Sequence, residues 1–136
     1  MKIKAILDTN VFISGVFWKG PPSKILKAWQ EGRFRLAMSL PILEEYRRVL
    51  DELAKERAMP VLTSILGIIE LHSEMVEPVS FVQPVCNDPD DDKFLEAAIA
   101  ARADYVVSVD KALLNVKFHH EVEVVRPSRF LTLLSR

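Results

Sequence analysis

The sequence lacks the features that mark secreted and membrane-spanning proteins. It has one cysteine, Cys86, among 136 residues, so it can form neither an internal disulfide nor a cysteine-rich zinc site. No uninterrupted apolar run approaches the length of a membrane span. The apolar run near the N-terminus is interrupted at Lys4 and stops at Asp8, which makes it too short for a signal peptide. We therefore expect a soluble, cytoplasmic protein with no membrane partner.

An excess of charge of either sign is also missing. Eighteen Lys and Arg oppose 19 Asp and Glu, which gives a formal net charge of −1. The strongly basic surface that binds nucleic acid non-specifically is therefore absent, although a local basic patch could still receive a nucleic acid. The length predicts a single domain over residues 1–136, and the 49% hydrophobic and 27% charged content excludes disordered and fibrous classes.

Short apolar runs alternate with amphipathic stretches along the chain. We predict strands at residues 3–7, 34–38, 105–109 and 122–125. We predict helices at residues 23–30, 42–53, 61–75 and 128–134, and shorter helical stretches around residues 94–99 and 113–114. Between Asp8 and the first helix we expect a loop, because Gly15, Gly20, Pro21 and Pro22 interrupt the pattern. The alternation predicts an α/β fold with a mainly parallel sheet.

Acidic residues follow two of the predicted strands and open one predicted helix. Asp8 follows the first strand, Asp110 follows strand 105–109, and residues 90–92 are all Asp. In an open α/β sheet, ligands bind beyond the carboxyl ends of the strands. Carboxylates crowded there raise one another's pKa, and a divalent cation removes that cost. Oxygen ligands without Cys or a nearby His favour Mg²⁺ or Mn²⁺.

Each of these acidic residues also has a structural interpretation. Asp8 could be a turn residue, residues 88–92 could cap a helix, and Asp110 could be an N-cap. Glu45 lies on the flank of the predicted helix 42–53, from which it could reach the crevice or form an ion pair with Arg48. The coincidence of three acidic positions at one end of the sheet favours a metal site, and the role of Glu45 stays undecided between the two alternatives.

Four segments match a known family pattern in order and in spacing. They are residues 6–12 (ILDTNVF), 43–50 (LEEYRRVL), 88–98 (DPDDDKFLEAA) and 103–110 (ADYVVSVD). The chain resembles a PIN domain and is similar to the VapC-like toxins of toxin–antitoxin systems. The resemblance implies a three-layer α/β/α fold with a central, mainly parallel sheet. It also implies a metal-dependent endoribonuclease that is the toxin of a type II pair.

The resemblance assigns the acidic site residue by residue. Asp8, Glu45, Asp92 and Asp110 match the four catalytic and metal-binding acids of the family, which would hold one or two Mg²⁺ or Mn²⁺ ions. Asp92 is preferred to its two acidic neighbours because its spacing to Asp110 fits the pattern, and Asp90 is kept as an additional ligand. Among supporting residues, Asn10 and Ser108 match polar positions of the same site, with Ser108 where many relatives carry Thr.

Substrate and partner residues follow less directly. Lys24, Arg47 and Arg48 are candidates for contacts with RNA phosphates, against the alternative of solvated helix faces. Phe17 and Trp18 could stack on an unpaired base. A homodimer and an antitoxin protein are the expected protein partners, with the apolar faces of helices 23–30 and 61–75 as candidate surfaces unless these faces simply form the core.

Two other functions compete with the ribonuclease. A phosphotransfer enzyme of the haloacid dehalogenase type also places an Asp after its first strand, but it needs a second Asp where this chain has Asn10. A non-catalytic interaction module on the same fold is the other alternative. We expect His119 and His120 to be exposed loop residues. Cys86 is expected to be a small buried residue, because no His or Asn partner lies near it in sequence.

Overall fold

Six strands form a central sheet in the computed structural model, which describes residues 2–57 and 63–136. They are β1 (Lys4–Leu7), β2 (Arg35–Met38), β3 (Glu74–Met75), β4 (Tyr105–Val107), β5 (Phe118–His119) and β6 (Val122–Val125). Their order across the sheet is β3-β2-β1-β4-β6-β5. Neighbouring strands are parallel except for β5, which is antiparallel to β6.

Helices cover both faces of this sheet and complete a three-layer α/β/α fold, as the sequence predicted. They are α1 (Thr9–Phe17), α2 (Pro21–Gln30), α3 (Leu40–Glu56), α4 (Thr63–His72), α5 (Asp92–Ala101), α6 (Lys111–Leu114) and α7 (Pro127–Leu134). A 3-10 turn at Pro89–Asp91 leads into α5. Within the two described ranges, no helix has the length and apolarity that crossing a membrane requires.

The central strands β1 and β4 determine where the acidic residues lie. Both strands are buried apolar runs, as expected for parallel strands covered on both faces. Leu7 pairs with Val107 in the parallel register, so both strands end at the same level. The next residues, Asp8 and Ser108, therefore lie side by side at the carboxyl edge of the sheet.

Helix α3 is fixed against this edge by a buried tyrosine. The Tyr46 ring stacks on Phe12, with 4.3 Å between the ring centroids, and its hydroxyl donates a hydrogen bond to the carbonyl of Leu7. Tyr46 has no solvent exposure. Its neighbour Glu45 is thereby held beside the end of β1.

Tyr46→Phe is expected to lower the free energy of unfolding by about 1 kcal/mol, because the buried bond to Leu7 is lost while the ring packing stays. Urea denaturation measures the change. Tyr105→Phe, at a half-buried ring packed on Phe130, is the control. Equal effects of the two substitutions would contradict a stabilising role for the Tyr46 hydroxyl.

The expected loop after Asp8 is wrong, since α1 begins directly at Thr9. Oδ1 of Asp8 accepts a hydrogen bond from the backbone N–H of Val11 at 2.9 Å, which caps the helix. Gly15 lies inside α1 instead of ending an element. A Cβ there would come within 2.8 Å of the Pro22 carbonyl oxygen, so this glycine permits the close approach of α1 and α2.

Besides shifts of a few residues at several element ends, three larger differences from the predictions remain. The apolar stretch 61–75 is not one helix, because α4 ends at His72 and β3 follows at the sheet edge; residues 61 and 62 lie outside the described residues. Strand β4 ends at Val107, two residues early, since Ser108 and Val109 turn towards α6. The two-residue strand β5 was not predicted, because so short a strand carries no periodicity.

Candidate active site

Asp8 is a buried carboxylate at the carboxyl end of β1. Its residue is 3% exposed, Oδ1 caps α1, and Oδ2 accepts a hydrogen bond from the Ser108 hydroxyl. Burial raises the pKa of Asp8 to about 6, and the charge of Asp110 adds to this rise. Hydrogen bonds from Ser108 and from the backbone of Val11 and Val109 lower the pKa, but by less than burial raises it. Ionised Asp8 is thus disfavoured in the folded protein unless a cation approaches it.

Ser108 connects the two acidic residues that follow the central strands. Besides donating to Asp8, its Oγ accepts a hydrogen bond from the backbone N–H of Asp110 at 2.9 Å. Oδ1 of Asp110 in turn accepts from the N–H of Ala112 at 3.0 Å and caps α6. The structure therefore brings Asp8, Ser108 and Asp110 together, as the sequence predicted.

The Asp92 carboxylate does not join this group. It is 6% exposed, and both of its oxygens accept backbone hydrogen bonds, from Cys86 at 2.8 Å and from Val85 at 3.0 Å. Asp92 thus fastens the segment before the 3-10 turn to the start of α5. The residue predicted as the third acid of the site has a structural partner on each oxygen.

The preceding residue, Asp91, has different surroundings from Asp92. Its carboxyl group lies against that of Asp110, and its pKa rises to about 7 through burial, through a hydrogen bond shared with Asp110, and through the charges of Asp110, Asp88 and Asp8. Oδ2 of Asp91 is buried and receives no hydrogen bond from any donor in the described ranges. Asp8, Asp91 and Asp110 therefore form the acidic cluster at this edge.

Glu45 lies at the margin of the cluster and is held by two residues that the sequence analysis missed. The Thr9 hydroxyl donates to its Oε2, and Nζ of Lys93 lies 2.6 Å from its Oε1. Arg48 is a weaker partner, 3.7 Å from the same oxygen and mostly exposed. Glu45 thus forms the ion pair with Arg48 that was one of its two alternatives, and it lies beside Thr9 at the end of β1.

Other predicted site residues lie at the surface. Asn10 is exposed in the first turn of α1, and Asp90 is exposed in the 3-10 turn, 3.4 Å from Nζ of Lys93. The candidate phosphate contacts are exposed on α2 and α3: Lys24, Arg47 and Arg48. Phe17 ends α1 instead of lying in a loop, and the exposed Trp18 has the Arg57 guanidinium 5.2 Å from its ring centroid.

Cys86 lies next to the acidic cluster, close enough for the charges of Asp91 and Asp110 to raise the pKa of its thiol. Cys86 is a buried free thiol, and burial followed by the neighbouring Asp92 raises its pKa far above the usual range, which makes it a poor nucleophile. His119 packs on Phe81 and on His120. Burial and the nearby His120 lower the pKa of His119.

The cluster fits a hard divalent cation by its chemistry but is not arranged around one. Asp8, Asp91 and Asp110 offer only carboxylate oxygens, and the buried Oδ2 of Asp91 lacks a donor, which suits Mg²⁺ or Mn²⁺. As placed, however, no three His, Cys, Asp or Glu side chains of residues 2–57 and 63–136 converge on one point that could hold an ion. Holding an ion therefore requires side-chain rotation.

Comparison with known proteins agrees with this fold. A family model described as "PIN domain" matches residues 4–112, a range that includes every acidic residue of the cluster. Over 125 residues the chain is 31% identical to the "Uncharacterized protein MJ1680" of Methanocaldococcus jannaschii. The aligned region covers 86% of this chain and 77% of that protein. The chain belongs to the PIN domain family.

Proposed function

We propose that this protein is a metal-dependent endoribonuclease that hydrolyses RNA phosphodiesters with water. PIN domains are typically nucleases, and membership in the family leaves the haloacid dehalogenase alternative without support. The observation that carries the proposal is the meeting of Asp8, Asp91 and Asp110 at the carboxyl edge of the sheet, with raised pKa values for Asp8 and Asp91. In this site Asp91 replaces Asp92 as the third acid.

The residues of the site have different roles in the proposed reaction. Asp8, Asp91 and Asp110 would hold Mg²⁺ or Mn²⁺, which supplies Lewis acidity and an activated water when bound. Ser108 keeps one Asp8 oxygen and the Asp110 backbone in place. Asp91 offers the buried Oδ2 that has no donor among the described residues. Thr9 and Lys93 hold Glu45 at the edge of the cluster.

RNA would approach over the exposed cations near α3. Arg47 and Arg48 lie on the exposed face of the helix that carries Glu45, and Lys24 lies on α2. Arg48 already pairs with Glu45 and with Glu52 at 3.7 and 3.5 Å, so phosphate would compete for it. We assign these residues to phosphate contacts, which set affinity and salt dependence but not sequence preference.

A toxin role in a type II pair belongs to the same proposal. An open groove of about 420 Å³ lies between α1, α2 and α4, and its lining includes Leu26, Trp29 and Ile68. Ile68 is 54% exposed and adds an uncovered apolar side chain to this groove. An antitoxin segment or a second copy of the chain would bury this surface. Co-purification with the product of a small neighbouring reading frame tests the pairing.

RNA cleavage with and without metal tests the proposed activity. We expect single-stranded RNA to be cut by the wild type with Mg²⁺ or Mn²⁺ and to stay intact with EDTA or with Asp8→Asn, because the substitution removes a buried anionic ligand while keeping the shape. Equal cleavage by Asp8→Asn would contradict the assigned site. An absence of cleavage, together with a stability that metal does not change, would favour the non-catalytic module.

A further inference from the structure

The mostly buried ammonium of Lys93 is a cation inside the acidic crevice. Its Nζ lies 2.6 Å from Oε1 of Glu45 and 3.4 Å from Oδ2 of Asp90. The side chains of Lys93 and Glu45 are only 18% and 14% exposed. The pair is therefore shielded from water, unlike the Arg48 contact on the same carboxylate, whose guanidinium side chain is 60% exposed.

The position of Lys93 divides the acidic residues into two groups. Glu45 and Asp90 face the Lys93 ammonium, and the remaining Oε2 of Glu45 accepts from the Thr9 hydroxyl. The other group is Asp8, Asp91 and Asp110, in which the buried Oδ2 of Asp91 has no hydrogen-bond partner among the described residues. The first group therefore pairs with a positive charge, whereas no cationic side chain of residues 2–57 and 63–136 forms an ion pair with the second.

We propose that Lys93 occupies the place of a second metal ion and restricts this site to one divalent cation, held by Asp8, Asp91 and Asp110. This inference rests on the metal site of the proposed function and adds its stoichiometry. Two-metal nuclease sites need carboxylates that face both ions. Here the Lys93 ammonium already pairs with Oε1 of Glu45 and lies near Asp90, so a second dication beside it would meet repulsion from the ammonium and would find these ligands engaged.

Lys93 acts in this arrangement as a positioning residue. It holds Glu45 through a charged hydrogen bond, the strong class of such bonds, and keeps that carboxylate from rotating towards the ion. Because Lys93 is the second residue of α5 and follows Asp91 and Asp92 directly, it also fixes the end of the 3-10 turn from which Asp91 reaches Asp110. The single side chain of Lys93 thus links α3 to the start of α5.

Counting bound Mn²⁺ in the absence of RNA tests the inference. Isothermal titration and Mn²⁺ electron paramagnetic resonance on the wild type are expected to show one ion without the exchange coupling of a close pair. Lys93→Met frees Glu45 and Asp90, so its count is expected to rise to two with coupling. Lys93→Arg restores the charge and is expected to return the count to one.

Two further variants complete the experiment. Arg48→Met removes the more exposed cation from the same carboxylate and is expected to keep one ion, which separates the buried pair from general charge loss. Glu45→Gln is likewise expected to keep one ion, since Glu45 is not a ligand in the wild type. This variant still tests the inference if Lys93→Met does not fold. Near-ultraviolet circular dichroism establishes that each variant is folded.

The outcomes separate this inference from the proposed activity. Two ions in the wild type, no ion in the wild type, a single ion in folded Lys93→Met, or loss of the ion in folded Glu45→Gln would each overturn the role of Lys93. RNA cleavage is measured separately. One ion in the wild type and two in Lys93→Met, without any cleavage of RNA, would sustain the inference and overturn the nuclease.

Discussion

Asp91→Asn is expected to abolish metal-dependent RNA cleavage, whereas Asp92→Asn is expected to lower stability and leave metal binding in place. Asp91 presents its buried Oδ2 without a donor beside Asp110, so the substitution removes a negative ligand and no structural bond. We expect cleavage to fall roughly 100-fold or more, because even residues that only orient metal ligands are worth 10–100-fold.

The expected effect of Asp92→Asn has a different cause. Both Asp92 oxygens accept backbone hydrogen bonds, from Cys86 and Val85, and an amide can replace only one of them as an acceptor. The other N–H would face an NH₂ group, and such an unsatisfied group costs roughly 1–3 kcal/mol. The segment before the 3-10 turn would loosen while Asp8, Asp91 and Asp110 keep their charges.

Three measurements on matched proteins distinguish the two residues. Mn²⁺ affinity by titration, RNA cleavage, and urea denaturation in EDTA are compared for wild type, Asp91→Asn and Asp92→Asn, with Asp90→Asn as the control at an exposed position of the same run. Loss of Mn²⁺ affinity in Asp92→Asn with normal affinity in Asp91→Asn would restore Asp92 as the third ligand and overturn the assignment of Asp91.

The sequence predicts the part of the site that depends on strand ends. Asp8 and Asp110 follow central strands directly or within three residues, and parallel strands in register place such residues at one edge. Ser108 falls inside the predicted strand 105–109 and was assigned to the site only by the resemblance to PIN domains. The α/β alternation and the mainly parallel sheet are equally local in origin, since buried strands are continuous apolar runs and helices show their own period.

The contact of Asp91 with Asp110 could not be predicted, because three successive Asp residues differ only in the direction of their side chains. That direction is set by the 3-10 turn and by the Val85 and Cys86 amides that bind Asp92, and spacing along the chain reports neither. The ion pair between Lys93 and Glu45 was hidden for a similar reason, since the two residues lie 48 positions apart in the sequence. Gly15 resembled a helix breaker because its packing partner lies in the next helix.

Without metal, the protein is expected to lose stability as the pH rises from about 4 to about 7. The folded pKa values are about 6 for Asp8 and about 7 for Asp91, against 3.8 as the ordinary value. Between these values the folded state binds more protons than the unfolded state, so the free energy of unfolding falls with rising pH. The stabilising contribution is complete below the unfolded pKa and is lost once the pH passes the folded values.

The size of this loss follows from burial. Asp8 is almost fully buried and dominates, while partly exposed Asp91 contributes less than its shift suggests because solvent screens it. We expect a total loss of roughly 2–4 kcal/mol. Asp8→Asn removes the larger part, so in EDTA it is expected to be more stable than the wild type at pH 7.5 and to lose this advantage near pH 4.

Urea denaturation in EDTA across this pH range measures the effect, with Glu44→Gln as a control at an exposed carboxylate of α3. Saturating Mg²⁺ is expected to reverse the slope for the wild type, because the ion competes with protons for the same oxygens and binds more tightly as they leave. The ion should have no such effect on Asp8→Asn. A metal-free wild type that gains stability between pH 4 and 7 would show that cations of the protein already neutralise Asp8 and Asp91, and the argument for a metal ion at this edge would then fail.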